Sequence, residues 1–267
     1  MNHLSELENR TIYILREAYH RFKNIALLWS IGKDSTTLLW IARKAFFGRL
    51  PFPVMHIDTS YKFKEIYAFR DRYAVEWGLD LVIARNDKAI AEGMGPKKEK
   101  LECCNALKTE ALKMKINELG LKALLLAIRR DEHGIRAKER YFSPRASDFT
   151  WNYRHQPAEL WDLYKSRLGA EEEHFRVHPM LHWTELDIWR YIEKEKVPVV
   201  SLYFARGGKR YRSIGCETCC MPVASGANTI QKIIKELETT KVAERSGRAQ
   251  DKESAYTMQK LRSLGYM

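Results

Sequence analysis

The turn Ser30-Ile-Gly-Lys-Asp-Ser35 constrains this chain most, because of what stands on either side of it. Asn24 to Trp29 is a mostly apolar run of strand length, and Ser35 to Ala45 is apolar-rich and long enough for a helix. A strand-to-helix turn leaves backbone N–H groups unpaired at the positive end of the helix dipole, a place that favours an anion. Gly32 lets the backbone come close to a ligand, Lys33 adds a mobile positive charge, and the Ser30 and Ser35 hydroxyls can donate to phosphate oxygens. Asp34 suits such a site only if it orders the turn or acts through a bound cation such as Mg2+. The spacing is not that of a P-loop, and an ordinary turn with a polar helix cap is the plain alternative.

The rest of the chain repeats this alternation. Leu4 to Phe22 reads as a helix; Val54 to Asp58, Leu79 to Ala84 and Lys122 to Ile128 read as strands; Lys64 to Trp77 and the amphipathic Asn105 to Leu119 read as helices. Thr184 to Lys196 opens with Thr-Glu-Leu-Asp, a helix-capping pattern. The basic, glycine-containing stretch Asn86 to Lys100 reads as a mobile loop. Strands alternating with helices predict an α/β fold, a Rossmann-like parallel sheet with helices on both faces. The expected organisation is a main domain over residues 1–200 and a polar C-terminal extension over 201–267 that packs on it.

At 267 residues the chain can bury a substantial core without disulfides. Its five cysteines are an odd number, no N-terminal stretch has the order of a signal peptide, and apolar runs such as Ala123 to Ile128 are too short to span a bilayer. A reducing cytoplasm is the expected setting, with no membrane partner. The net charge of +12 points to anionic partners: a nucleotide, an oxyanion, a nucleic acid or an acidic protein. In open α/β sheets ligands bind beyond the carboxyl ends of the strands. Ser30 to Ser35, Asp58-Thr59-Ser60 and Arg129-Arg130-Asp131-Glu132 each follow an expected strand, so phosphate ligands, a carboxylate and two arginines can face one crevice.

In this order, Trp29-Ser-Ile-Gly-Lys-Asp-Ser35, His56-Ile-Asp-Thr59, Arg129-Arg-Asp-Glu132, Arg136-Ala-Lys-Glu-Arg140, Trp183-Thr-Glu-Leu-Asp-Ile-Trp189 and Glu244-Arg-Ser-Gly-Arg248 resemble a known family. It is the ATP pyrophosphatase branch of the adenine nucleotide alpha hydrolases, which includes PAPS reductase, and within it the small subunits of bacterial sulfate adenylyltransferase. The resemblance implies a HUP-type fold and cleavage of ATP, with Mg2+, between the α and β phosphates. Sulfate would attack the α phosphorus, pyrophosphate would leave, and adenylyl sulfate would form. It implies that Ser30, Gly32, Lys33, Asp34 and Ser35 hold the departing pyrophosphate and that Asp58 and Thr59 lie near the nucleoside. Lys33, Arg129 and Arg130 would be catalytic, the two arginines binding the oxyanion; Lys138, Arg140 and Arg145 are weaker candidates that equally suit a basic solvated loop. A GTPase large subunit is the implied partner. One departure weighs against docking to it: Ser201 to Phe204 runs through Gly207 to Arg212 almost directly into Ile214-Gly-Cys216, without the longer insertion those small subunits carry.

Cys103 and Cys104 are adjacent, and Cys216-Glu-Thr-Cys219 follows much later. These pairs resemble the arrangement that holds a four-iron cluster in bacterial adenylyl-sulfate reductases of the same superfamily. The expectation is a [4Fe-4S] cluster, or Zn2+ on the same thiolates, at Cys103, Cys104, Cys216 and Cys219. Buried packing is the alternative. A reductase needs a further thiol near its C-terminus, and none follows Cys220, so reduction is not expected. His178 and His182 are four apart, but Pro179 breaks the helix that would align them, so packing is expected. Phe149 to Tyr153 and Trp161 could stack on bases, though aromatics are mostly core. Two further functional readings stand beside sulfate activation. One is the ATP pyrophosphatase of a DNA phosphorothioation system, with DNA as acceptor and a cysteine desulfurase as partner. The other is a nucleotide-binding regulator without turnover.

Overall fold

A computed structural model describes residues 2–248; residues 249–267 of the expected extension lie outside the described residues. The chain opens with α1 (His3–Phe22), then β1 (Ile25–Leu28), α2 (Lys33–Ala45), β2 (Val54–Ile57), α3 (Lys64–Glu76) and β3 (Leu81–Ala84). Short α4 (Asp87–Ala91) and α5 (Lys100–Cys104) lead through a π-helical turn, Asn105–Glu110, into α6 (Ala111–Leu119) and β4 (Ala123–Leu125). After them come β5 (Phe142–Ala146), β6 (Glu172–Val177), α7 (Glu185–Glu195), the two-residue strands β7 (Lys209–Arg210) and β8 (Val223–Ala224), and α8 (Ile230–Thr239).

The main sheet has six strands in the order β3-β2-β1-β4-β6-β5, all parallel except β5, which runs antiparallel to β6. Every residue of β1, β2 and β4 is buried, as strands covered on both faces must be, and their apolar composition, interrupted only by His56 in β2, follows from that. The chain steps outward from β1 to β2 and β3, then returns to the other side of β1 as β4. Right-handed crossovers therefore set α2 and α3 on one face and the α6 connection on the other. Trp40 of α2 and Trp77, at the end of α3, meet edge to face at 5.8 Å. The reversal makes the gap between the β1 and β4 carboxyl ends the switch point, where such sheets bind ligands.

The expected parallel sheet, its central strands and the capping box are present: Thr184 and Asp187 cap the start of α7 reciprocally. Two readings need correction. The loop expected over Asn86 to Lys100 contains α4, started by the Asn86 side chain accepting from the Ala89 N–H. The helix expected over Asn105 to Leu119 is broken by the π turn next to the cysteine pair. Beyond Ser201, α8 packs its apolar face on α7 and buries Ile233. The expected core aromatics Phe149 and Trp151 are buried, whereas Trp161 is 86% exposed.

Candidate active site

β1 ends at the sheet centre, and the next residues form the turn that the sequence singled out. Ile31 takes a left-handed φ of 65°, which folds the chain back so that the Ser30 and Ser35 hydroxyls stand 3.0 Å apart. Gly32 is the N-cap of α2 and makes no side-chain cap, so the first turn of the helix faces the switch point with its N–H groups. One of them is already used, since the Lys33 N–H donates to the Tyr203 hydroxyl at 2.8 Å. A Cβ at Gly32 would stand in ordinary contact with the Ser30 hydroxyl at 3.4 Å and with that of Tyr203 at 3.5 Å.

Lys33 is 1% exposed. Its ammonium donates to Asp34 Oδ2 at 3.1 Å and to Glu244 Oε1. The Arg129 guanidinium, fully buried, donates to Asp34, to Glu244 and to Asp131 Oδ1. Burial opposes the charge on each of these groups, and the opposite charges outweigh it. Asp34 and Glu244 raise Lys33 above the ordinary lysine range, and Arg129 and Lys33 hold the Glu244 carboxyl well below the usual carboxylate range. A second group lies beside the first: Glu132 accepts from Arg136 and, at 3.1 Å, from Arg245.

These residues enclose a cavity of about 150 Å³. Its apolar wall comes from Leu28, Met55, Ile57, Leu126 and Ile128 at the carboxyl ends of β1, β2 and β4, and suits a flat heteroaromatic base. Its polar wall carries Ser30, Gly32 to Ser35, Glu132 and Glu244 together with Lys62, Lys108, Arg136, Arg245 and Arg248. A cavity with an apolar half and a strongly cationic half matches a nucleoside polyphosphate.

Residues 24–222 match the phosphoadenosine phosphosulfate reductase domain. The chain belongs to that family. Along its whole length this PAPS reductase family member is similar to proteins named sulfate adenylyltransferase subunit 2. It is 39% identical over 301 residues to that of Pseudomonas paraeruginosa, covering 100% of this chain and 98% of the relative. It is 40% identical over 296 residues to that of Myxococcus xanthus, covering 99% and 97%. The 301-residue match is longer than the 267-residue chain, so that relative carries residues absent here. Among solved structures, Candida glabrata FMN adenylyltransferase in complex with ATP superposes with a TM-score of 0.58 at 19% identity, over 82% of this chain and 63% of that one. Candida auris phosphoadenylyl-sulfate reductase, in a phosphate complex, gives 0.53 at 17% identity, over 80% and 96%. At those identities the likeness concerns the fold.

Within this PAPS reductase domain the structure brings Ser30, Gly32, Lys33, Asp34 and Ser35 together on the cavity wall. Other sequence candidates lie elsewhere. Asp58 accepts from the Ser60 N–H at 2.8 Å and from the Tyr67 hydroxyl at 2.9 Å, which fixes the turn after β2. Thr59 contacts Cys216 Sγ at 3.2 Å and lines a second cleft. Arg129 meets the turn through Asp34 but spends its guanidinium on three carboxylates. Arg130 turns toward His182 at 2.8 Å and the Glu139 carbonyl. Lys138 lies over the Tyr153 ring, Arg140 donates to the Pro157 carbonyl, and Arg145 is buried against Glu139 and Ser143. His178 and His182 form no pair, since His178 Nδ1 meets the Arg140 carbonyl at 2.8 Å and His182 Nδ1 meets Tyr141. Sequence reasoning assigned no role to Lys62, Lys108, Arg136, Tyr203, Glu244, Arg245 or Arg248. The Glu244-Arg-Ser-Gly-Arg248 string was the available signal for three of them.

Cys103, Cys104, Cys216 and Cys219 line one cleft with Thr59, Tyr61 and Lys108. The Cys216 and Cys219 thiols hydrogen-bond each other, which lowers Cys216 and raises Cys219; Lys108 and Lys62 further favour the Cys216 thiolate. Burial pushes the Cys103 thiol up to about 11. Soft thiolates suit zinc or an iron–sulfur cluster in kind. In arrangement they do not: among the described residues no three His, Cys, Asp or Glu side chains stand as a ligand set. A four-iron cube would require the thiols to part. Among the described residues no helix is long and apolar enough to cross a membrane.

Proposed function

We propose that this chain is a cytoplasmic nucleotidyltransferase that adenylates sulfate, converting ATP and sulfate into adenylyl sulfate and pyrophosphate as the small, catalytic subunit of a two-subunit enzyme. The observation that carries the reading is Lys33, held at the start of α2 beside a cavity whose other half is apolar. Full-length similarity to sulfate adenylyltransferase subunit 2 proteins supports the acceptor and a partner subunit, which we take to be a GTPase. We take residues 1–200 as the nucleotide-binding unit and residues from 201 onward as the extension that closes it, through Tyr203 and Glu244.

Adenylyl transfer needs positioning and neutralisation of charge more than a protein nucleophile. The adenine lies on the apolar wall. The β and γ phosphates take the free N–H groups of the first turn of α2, the Ser30 and Ser35 hydroxyls and the Lys33 ammonium. An oxygen of the acceptor attacks the α phosphorus, the bond to the bridging oxygen breaks, and the electron pair leaves with pyrophosphate. Mg2+, bound with the nucleotide, would supply neutralisation of the phosphate oxygens; Asp34 and Glu244 are the cavity carboxylates that would hold it, in exchange for contacts they now make with Lys33 and Arg129. Incubation with ATP, Mg2+ and sulfate tests the reading: pyrophosphate and adenylyl sulfate should appear, and ADP with orthophosphate would refute it.

A further inference from the structure

Four of the cations around the active-site cavity meet carboxylates. Lys33 and Arg129 are neutralised by Asp34 and Glu244, and Arg136 and Arg245 by Glu132. Lys62 and Arg248 line the same cavity, and among the described residues neither has a carboxylate partner. The groups that act most strongly on Lys62 are Cys216, Lys108, Arg248 and Cys220, and His56 also lies within reach of its charge. Two of these are further cations, and the Cys216 thiolate, which Lys62 and Lys108 favour, is the anionic group already beside it. Arg248 donates to Cys220 Sγ at 3.3 Å, and a Cβ on Gly215 would stand 2.4 Å from its guanidinium, so glycine allows it to lie against the chain. Lys62 is itself held in place: its backbone bridges to Cys216, and the Glu217 N–H donates to the Tyr61 carbonyl at 2.8 Å. Like charges gathered on a half-buried wall repel one another, and an anion between them relieves the repulsion.

We propose that Lys62, with Arg248, holds the acceptor oxyanion, a small tetrahedral dianion of the sulfate class, and that Lys62 is a specificity-determining residue for the reaction. This inference rests on the adenylyl transfer proposed above. It moves the acceptor away from Arg129 and Arg130: the first is saturated by carboxylates, and the second faces His182. It also gives the two anionic partners separate cations. The leaving phosphates meet Lys33, and the acceptor meets Lys62, so one can bind without displacing the other.

The test is Lys62→Met, which keeps the apolar stem and removes the charge. Loss of one charge-assisted contact should raise the KM for sulfate about tenfold to a hundredfold while the KM for ATP stays within about twofold. Lys62→Arg should recover part of the loss. A second readout is thermal: sodium sulfate should raise the Tm of the wild type above that in sodium chloride of matched ionic strength, and should not do so for Lys62→Met. An unchanged sulfate KM, or an equal rise in both KM values, overturns the inference. If sulfate stabilises the wild type through Lys62 but yields no pyrophosphate, the adenylyl-transfer reading fails and the oxyanion site stands. If sulfate has no effect on the wild type in either assay, both fail.

Discussion

Lys33 donates to Glu244 across a separation of 211 residues, and both side chains are buried. The contact ties the turn after β1 to the segment beyond α8, and it leaves the phosphate-facing lysine already paired before any nucleotide arrives. Removing the Glu244 charge would leave Lys33 and Arg129 sharing Asp34, with Asp131 still on Arg129, because both cations donate to the same carboxylate. Glu244→Gln should therefore lower stability by about 1–3 kcal/mol, read as a shift of the denaturation midpoint. A shift below about 1 kcal/mol would mean that the network contributes little to the fold.

Lys33→Ala should reduce turnover at least about a hundredfold, since it removes charge stabilisation at the leaving group. Its stability should fall less than that of Glu244→Gln, because Glu244 keeps Arg129. Steady-state pyrophosphate release beside a denaturation curve separates the two effects. A variant within tenfold of wild type would place the leaving group elsewhere.

Burial lowers His56 to about 4 and His174 to about 2, with nearby cations adding to the effect. Both are fully buried. Their folded values lie below the ordinary histidine value, so the unfolded chain binds these protons first. Their contribution to stability is present above about pH 6.5 and is lost progressively as the pH falls from there toward the folded values of about 4 for His56 and about 2 for His174. By about pH 5 each histidine should cost about 2 kcal/mol relative to neutral pH. Urea denaturation at about pH 7.5 and about pH 5 should show the loss, and His174→Phe should flatten part of it. A pH-independent midpoint over this interval would contradict the burial of these rings.

If the four cysteines hold a metal, anaerobically purified protein should carry about one site of iron or zinc, and Cys103→Ser and Cys219→Ser should each abolish it. A colourless preparation without metal by elemental analysis would leave the cysteines to packing, as their closed cleft already allows.

The central strands were legible because full burial on both faces demands mostly apolar runs; Ile25 to Leu28 is apolar throughout, and Val54 to Ile57 is apolar apart from His56. The edge was not. β5 contains Pro144, which reads as a break, and β6 buries His174 and Arg176, which read as surface. Ser143, Arg145, His174 and Arg176 pair across these strands, so a polar face lies inside the protein. The same blindness affected the site. The turn at Ser30 to Ser35 is one contiguous string, and its place could be read. Lys62, Tyr203, Glu244 and Arg248 come from distant segments that only folding brings together, and charged residues in a chain of net charge +12 do not announce which of them are buried.

If DNA were the acceptor, the +12 charge would bind duplex with an affinity that falls steeply with salt, and sulfate would have no influence. The decisive measurement is product analysis with labelled ATP and Mg2+, with the partner subunit present, in the presence and absence of sulfate. Sulfate-dependent release of pyrophosphate together with adenylyl sulfate is the predicted result. ADP and orthophosphate, or pyrophosphate release indifferent to sulfate, would contradict the proposed function.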